Sequence, residues 1–381
     1  MSRRTPGAYL TGVAQSPSWR TPESHPVGLQ AAAALAALEE AGLGLADVEA
    51  LFTAGDWARH PSMLLAEYLG IQPTHLDTSN VGGSSFEVHA AHAAAGIALG
   101  LFDVALITYG STQRSDGARK RPRAAEYGTQ FEQFTGMPVP LGAYAMAAAR
   151  HMHEYGTTSE QLAEVAVAAR QWAQLNPEAA KRDPLSIDDV LASDLVADPL
   201  HVRDCCLITD GAGALVVVSD RYRDAGRHRP VQIIGHGETH THNTVIGNPD
   251  LLTTGAAQSG RRAFEMAGVT HADLDVVQIY DSFTITVLLT LEALGFCGPG
   301  ESGAFVEDGR TRPGGSFPMN TSGGGLSCCH PGMYGIFLLV EAVRQLRGEC
   351  GERQVDGAEL ALVNGTGGVL SSTSTVILAR A

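Results

Sequence analysis

Aromatic residues make up only 6% of this 381-residue chain, although hydrophobic residues make up 44%. With so few large rings, the interior must be filled by Ala, Val, Leu and Gly, which favours closely packed layers of helix and sheet. Positive charge is scarce as well: 26 Lys and Arg face 41 Asp and Glu, for a formal net charge of -15. A protein that tracks a nucleic-acid backbone needs a basic face to displace counterions, so this balance argues against that class. An anionic ligand would need a local basic patch, and Arg114, Arg119, Lys120, Arg121 and Arg123 form the candidate, with a solvated loop as the plainer reading. No stretch is long and apolar enough to span a bilayer, and the Arg-bearing N-terminus lacks the apolar segment of a signal peptide; a cytoplasmic location is expected. The six cysteines include the adjacent pairs Cys205/Cys206 and Cys328/Cys329 but no CxxC spacing. They read as reduced, buried small residues rather than zinc ligands or a redox dithiol.

What is present alternates between strand-like and helix-like segments, the pattern of parallel sheets with crossover helices. The length allows two or three ordinary domains or one large α/β unit built from two related halves. Strands are expected at Ala8 to Ala14, Val104 to Thr108, Gly213 to Ser219, Val231 to Gly235, Asp275 to Tyr280, Leu360 to Val363 and Thr373 to Leu378. Helices are expected at Val27 to Ala41, Phe86 to Leu99, Ser159 to Leu175, Ile285 to Leu294 and Tyr334 to Leu346. The polar, Pro- and Gly-punctuated stretch 114–199 reads as an insertion or lid. Two Gly-rich turns open helices in matching places: "HLDTSNVGGSS" before the strand-turn "DVALITYGS", and "FPMNTSGGGLS" before "ELALVNGTGG". Any βαβ unit needs such turns, but matched flanking strands point to duplication, with halves at 1–225 and 226–381.

Three clusters fall at strand ends or helix starts, where open α/β sheets place their sites. Asn80 to Ser85 is a turn whose backbone amides could bind an anion, an unspecific signal by itself. Tyr280-Asp281-Ser282-Phe283-Thr284 follows a buried strand; a core-capping tyrosine is the alternative there. The third runs from Asn320 through Gly323-Gly324-Gly325 to Cys328-Cys329-His330-Pro331-Gly332-Met333-Tyr334-Gly335, where a histidine in a Gly-rich turn suits proton transfer or oxyanion donation. His236, Glu238, His240 and His242 would share one face of a strand, which suits a site lining better than a metal. Asp204 and Asp210 are expected to fix the turn between the halves by accepting from backbone amides.

"NTSGGGLSCCHPGMYG" resembles the thiolase signature N-x-x-G-G-x-x-x-x-G-H-P, with His330 at its histidine, and "YDSFT" resembles the N-E-A-F-A positions. "GIALGLFDVALITYGSTQRS" and "DCCLITDGAGALVVVSD" are similar to further thiolase segments, so the resemblance covers nearly the whole chain. It is nearest the lipid-transfer, sterol-carrier-like branch. It implies the thiolase fold, a five-layered αβαβα unit of two duplicated halves with an inserted loop domain, and a homodimer.

The departures say more than the matches. Gly83 stands where the acylated cysteine belongs, and Asn364 or Gly365 stands at the second cysteine. Claisen chemistry needs one thiolate to hold the acyl group and another to shuttle the α-proton. Ser84 and Ser85 miss the nucleophile position, and Cys329 replaces a glycine where a small residue is needed, so packing is its expected role. A retro-aldol cleavage of a β-hydroxyacyl-CoA needs no covalent intermediate. The resemblance to steroid side-chain-cleaving aldolases implies Tyr280, Tyr334 and His330 as catalytic residues; beside His330 and an oxyanion hole, a tyrosine pKa of about 10 is expected to fall far enough to exchange protons. It implies Ser84, Gly324, Gly325 and Gly367 along the CoA arm, no cofactor besides the substrate's own coenzyme A, and a separate small zinc-ribbon/OB-fold partner. The implied reaction converts a 17-hydroxy steroid side-chain CoA thioester to a 17-ketosteroid and propionyl-CoA. A C-acyltransferase or thiolase, either cysteine-independent or using Cys329, and a non-catalytic acyl-CoA or lipid-binding subunit are the alternatives.

Overall fold

A computed structural model describes residues 6–16, 18–55, 57–116, 130–248 and 250–381. Arg119, Lys120, Arg121 and Arg123 of the candidate basic patch lie outside them. The strands are β1 (Ala8–Gln15), β2 (Ala50–Thr53), β3 (His75–Asp77), β4 (Val104–Ser111), β5 (Leu195–Ala197), β6 (Leu200–His201), β7 (Gly211–Ser219), β8 (Val231–His240), β9 (Val276–Ile279), β10 (Leu360–Gly367) and β11 (Ser372–Arg380). The helices are α1 (Pro26–Glu40), α2 (Pro61–Leu69), α3 (Ser85–Ala98), α4 (Gln130–Thr135), α5 (Leu141–Tyr155), α6 (Ser159–Gln174), α7 (Ile187–Leu191), α8 (Ala256–Ala267), α9 (Thr284–Leu294), α10 (Ser302–Val306) and α11 (Gly335–Arg347).

The strand order β3-β2-β4-β7-β1-β8-β11-β10-β9 contains the same motif twice. In the first half β2 and β4 are parallel, then β7 and β1 follow antiparallel. In the second half β9 and β10 are parallel, then β11 and β8 follow antiparallel. The halves join where β1 meets β8 at Tyr9 and Leu10. One glycine pair repeats too: a side chain on Gly12 would strike the Ala37 carbonyl of α1, and one on Gly235 would strike the Ala263 carbonyl of α8. Each half therefore uses a glycine to press its first helix against its first strand.

Three apolar cores separate the layers. One lies between α1, α2 and the first half-sheet, and one between the second half-sheet and α5, α6, α8 and α9. The third surrounds α3 and α11 between the two half-sheets. Both central helices are buried on nearly every face, as a helix apolar all round must be. Strands β4, β7 and β10 are buried on both sides, which explains their near-continuous apolar character. The segment between β4 and β7 carries α4 to α7, so the polar stretch 114–199 is an ordered helical insertion across its described part. Among the described residues, no helix is long and apolar enough to cross a membrane.

Candidate active site

The site forms where β9 ends and α11 begins. Residues 318–320 run beside β9: Asn320 N donates to Val277 O at 3.0 Å and Asn320 Oδ1 accepts from Ile279 N at 2.8 Å. Asn320 itself sits at φ 51°, a left-handed conformation that Asn tolerates better than most residues. Gly323 and Gly324 follow at φ 100° and 62°, reversing the chain into a wide turn over Gly324–Cys328. Buried Asp281 accepts from Gly325 N at 2.7 Å and Leu326 N at 3.1 Å, locking that turn to the end of β9. His330 and Thr209 fix one another: His330 N donates to Thr209 Oγ1 at 3.0 Å, and Thr209 N donates to His330 O at 3.2 Å.

This scaffold brings Tyr280, His330 and Tyr334 together. Tyr280 Oη lies 2.9 Å from His330 Nε2 and accepts from Tyr334 N at 3.0 Å. Tyr334 is the last residue before α11, and its Oη lies 3.2 Å from Ser322 Oγ. The Tyr280 ring stands edge-on to both His330 and Tyr334, with centroids 5.6 and 5.8 Å apart. All three side chains are buried; Tyr280 keeps 4% and His330 8% exposure, while Tyr334 keeps none.

The expected lowering of the tyrosine pKa does not occur. Burial pushes both phenols well above 10, because a phenolate there would lose its hydration without gaining a cation. Burial pushes His330 the other way, to about 4, so it is a neutral imidazole at pH 7. A neutral imidazole can accept a proton from the Tyr280 phenol as that phenol takes one from elsewhere, while the Tyr334 amide steadies the oxygen between them.

Gly83 explains the tyrosine's position. A side chain on Gly83 would overlap the Tyr280 ring and the Thr366 carbonyl. The phenol therefore fills the room of the side chain lost there. The remaining cysteines offer no substitute: Cys329 is fully buried with its pKa raised well above 9 by burial, and Cys206 is raised likewise.

The other expected site residues are placed differently. Ser84 is fully buried with its Oγ 2.8 Å from Ser372 Oγ, which in turn lies 2.9 Å from His240 Nδ1. Gly325 already gives its amide to Asp281, and Gly324 N donates to Ser322 Oγ at 3.3 Å. A side chain on Gly367 would strike the Val81 carbonyl, so that glycine lets β10 touch the 81–84 turn. His236 and Glu238 line a cleft of about 620 Å³ with His92 and Arg262. His242 lies beyond the end of β8 and reaches Val369 O instead, so the four residues do not share one strand face. Asp204 accepts from His201 N and Thr284 Oγ1, and Asp210 from Thr21 N and Ser115 N, so both hold backbone amides as expected, but in the stretch before β7 rather than between the halves. Sequence reasoning missed the structural part of Asp281, although its place beside Tyr280 was a signal. It also passed over Glu87, a lone acid in the Ala- and His-rich α3.

Residues 237–380 match the family described as "Thiolase C-terminal domain-like". The chain is 36% identical to an acetyl-CoA acetyltransferase of Methanothermobacter thermautotrophicus over 91% of this chain and 93% of the relative. The chain belongs to the thiolase superfamily. It is also 35% identical to the 17-hydroxy-3-oxo-4-pregnene-20-carboxyl-CoA lyase of Mycobacterium tuberculosis, over 90% of this chain and 92% of that one. Among solved structures, the chain described as the Ltp2-ChsH2(DUF35) aldolase superposes with a TM-score of 0.91 at 30% identity, covering 99% of each chain.

Proposed function

We propose that this chain is an aldolase that cleaves a β-hydroxyacyl-CoA between Cα and Cβ, with a 17-hydroxy steroid side-chain thioester as substrate. The observation that carries this reading is the Tyr280 phenol, seated in the room of a side chain at 83 and joined to His330 Nε2 and the Tyr334 amide. Tyr280 takes the carbinol proton as its own proton passes to His330. The Cα–Cβ bond breaks, its electron pair moves into a thioester enolate, and the carbinol carbon becomes a ketone. Tyr334 gives its proton to Cα and is restored by the proton held on His330, so the carbinol proton is in effect moved to Cα and a 17-hydroxy steroid substrate yields a 17-ketosteroid and propionyl-CoA. Coenzyme A enters as part of the substrate. The names of two relatives, a pregnene-carboxyl-CoA lyase and an aldolase, support this assignment. The second name also pairs its aldolase with another protein, which supports a separate partner for this chain; the thiolase resemblance supplies the rest of the reading, a zinc-ribbon/OB-fold partner on a homodimer.

An acyltransferase is the second reading, favoured by the 36% identical acetyltransferase. The test is to co-express the chain with a zinc-ribbon/OB-fold partner and supply a panel of β-hydroxyacyl-CoA thioesters and acetoacetyl-CoA. Ketone plus shortened acyl-CoA from the first group, unchanged in Cys329→Ala, supports the aldolase. Thiolysis of acetoacetyl-CoA that disappears in Cys329→Ala would establish the second reading instead.

A further inference from the structure

Glu87 lies on α3 one turn after Gly83, is fully buried, and neither carboxyl oxygen has a hydrogen-bond partner among the described residues. An orphaned buried carboxyl is costly and rare, so its surroundings bear on what it does. A side chain on Gly335, the first residue of α11, would strike both the Glu87 carboxyl and the Gly83 carbonyl. A side chain on Gly365, in the middle of β10, would strike the same carboxyl and crowd Ser84. Two elements thus give up their side chains to admit one flat carboxyl at the junction of the 82–84 turn, α11 and β10. That junction also sets the site: Gly83 underlies the Tyr280 ring, Tyr334 immediately precedes Gly335, and Asn364, next to Gly365, accepts from Tyr280 N at 3.0 Å.

Among the described residues, no cation reaches this carboxyl. On its own helix His89 bonds Ser79 O, and His92 is engaged by Asp77 and by Glu238 of β8. On α11, Glu341 is bound to Arg353, and β10 and β11 bring no charged side chain to it from their buried stretches. Burial dominates its titration, opposed by the helix's own Glu87 backbone amide, and raises the group to about 8.

Resting on the aldolase reading, we propose that Glu87 is a positioning residue that keeps its proton through turnover, its neutral carboxyl closing the junction on which the Tyr280 phenol and the Tyr334 amide are set. Ionisation would place an unpaired charge between two backbone glycines and open that junction. The sign follows: the folded pKa lies above the unfolded one, so the stability this group contributes is full below about 4.5 and is lost as pH rises through about 8.

The test compares wild type with Glu87→Gln, which is flat and permanently neutral, in the complex with the partner. Wild-type kcat should fall on the alkaline side near pH 8 while KM moves less than about twofold; Glu87→Gln should keep kcat within about threefold at pH 7 and lose that alkaline limb. The unfolding midpoint measured against pH should fall between about 4.5 and 8 more steeply in wild type than in the variant. If Glu87→Gln does not fold, Glu87→Met supplies the same comparison with no polar group left unpaired. An identical alkaline limb and an identical stability slope in wild type and the neutral variant would overturn the proposal. Activity lost at every pH in a folded Glu87→Gln would overturn it too, since the group would then act by releasing its proton. If no variant shows aldolase activity, the aldolase reading fails, while the stability slope still decides the state of Glu87.

Discussion

At the scale of single residues, chemistry here depends on what fills vacated volume. A thiol at 83 would have to share its space with a phenol that already holds two hydrogen bonds. Gly83→Cys is therefore expected to lower activity rather than restore thiolysis, and to destabilise the fold by about 1–3 kcal/mol through overpacking. Thermal unfolding and a thiolysis assay check both halves of that expectation; a stable Gly83→Cys protein with new thiolase activity would show the room was free. The residue scale is also where sequence reading was least complete. The glycine in place of cysteine and the tyrosine after β9 were legible one by one, but their overlap in space was not. The direction of the tyrosine pKa was misjudged because burial, which dominates it, is a property of the folded core.

At the scale of elements, the site is a loop held from several sides rather than a rigid strand end. Asn320, Asp281 and Thr209 tie residues 318–330 to β9, to the residues just after it and to the loop before β7. Behind the loop, Thr321 Oγ1 donates to Glu341 Oε1 of α11 at 2.7 Å, and Glu341 is paired with buried Arg353. Removing one partner of a buried pair leaves an uncompensated charge, at a cost of about 3–5 kcal/mol. Arg353→Met is thus expected to lower the unfolding free energy by that amount, with a matching fall in the urea midpoint, and to loosen the 318–330 loop, with much of the loss recovered in Arg353→Met/Glu341→Leu. A double-variant loss equal to the sum of the Arg353→Met and Glu341→Leu losses, read from urea unfolding, would show the pair is not coupled. Most elements were legible from periodicity and glycine stops, because α3, α11, β4 and β10 are long and bounded by turns. The short strands β2, β3, β5 and β6 were not, since two to four residues carry no period of their own.

At the scale of the whole molecule, the duplicated strand order brings two Gly-rich turns, 80–85 and 320–325, to the same strand end, Gly83 against the Tyr280 ring and Gly325 N on Asp281. Sequence similarity between those turns made the duplication readable; how the halves face each other was not, because it depends on the β1/β8 contact and on which helices become central. The consequence is a site with two phenols, one neutral imidazole and buried, unreactive thiols. The most direct measurement is kcat of Tyr280→Phe on a saturating β-hydroxyacyl-CoA, with ketone and shortened acyl-CoA quantified. Phenolic proton transfer predicts a fall of about 10²–10⁴-fold with the fold intact. A Tyr280→Phe enzyme that cleaves at the wild-type rate would contradict it.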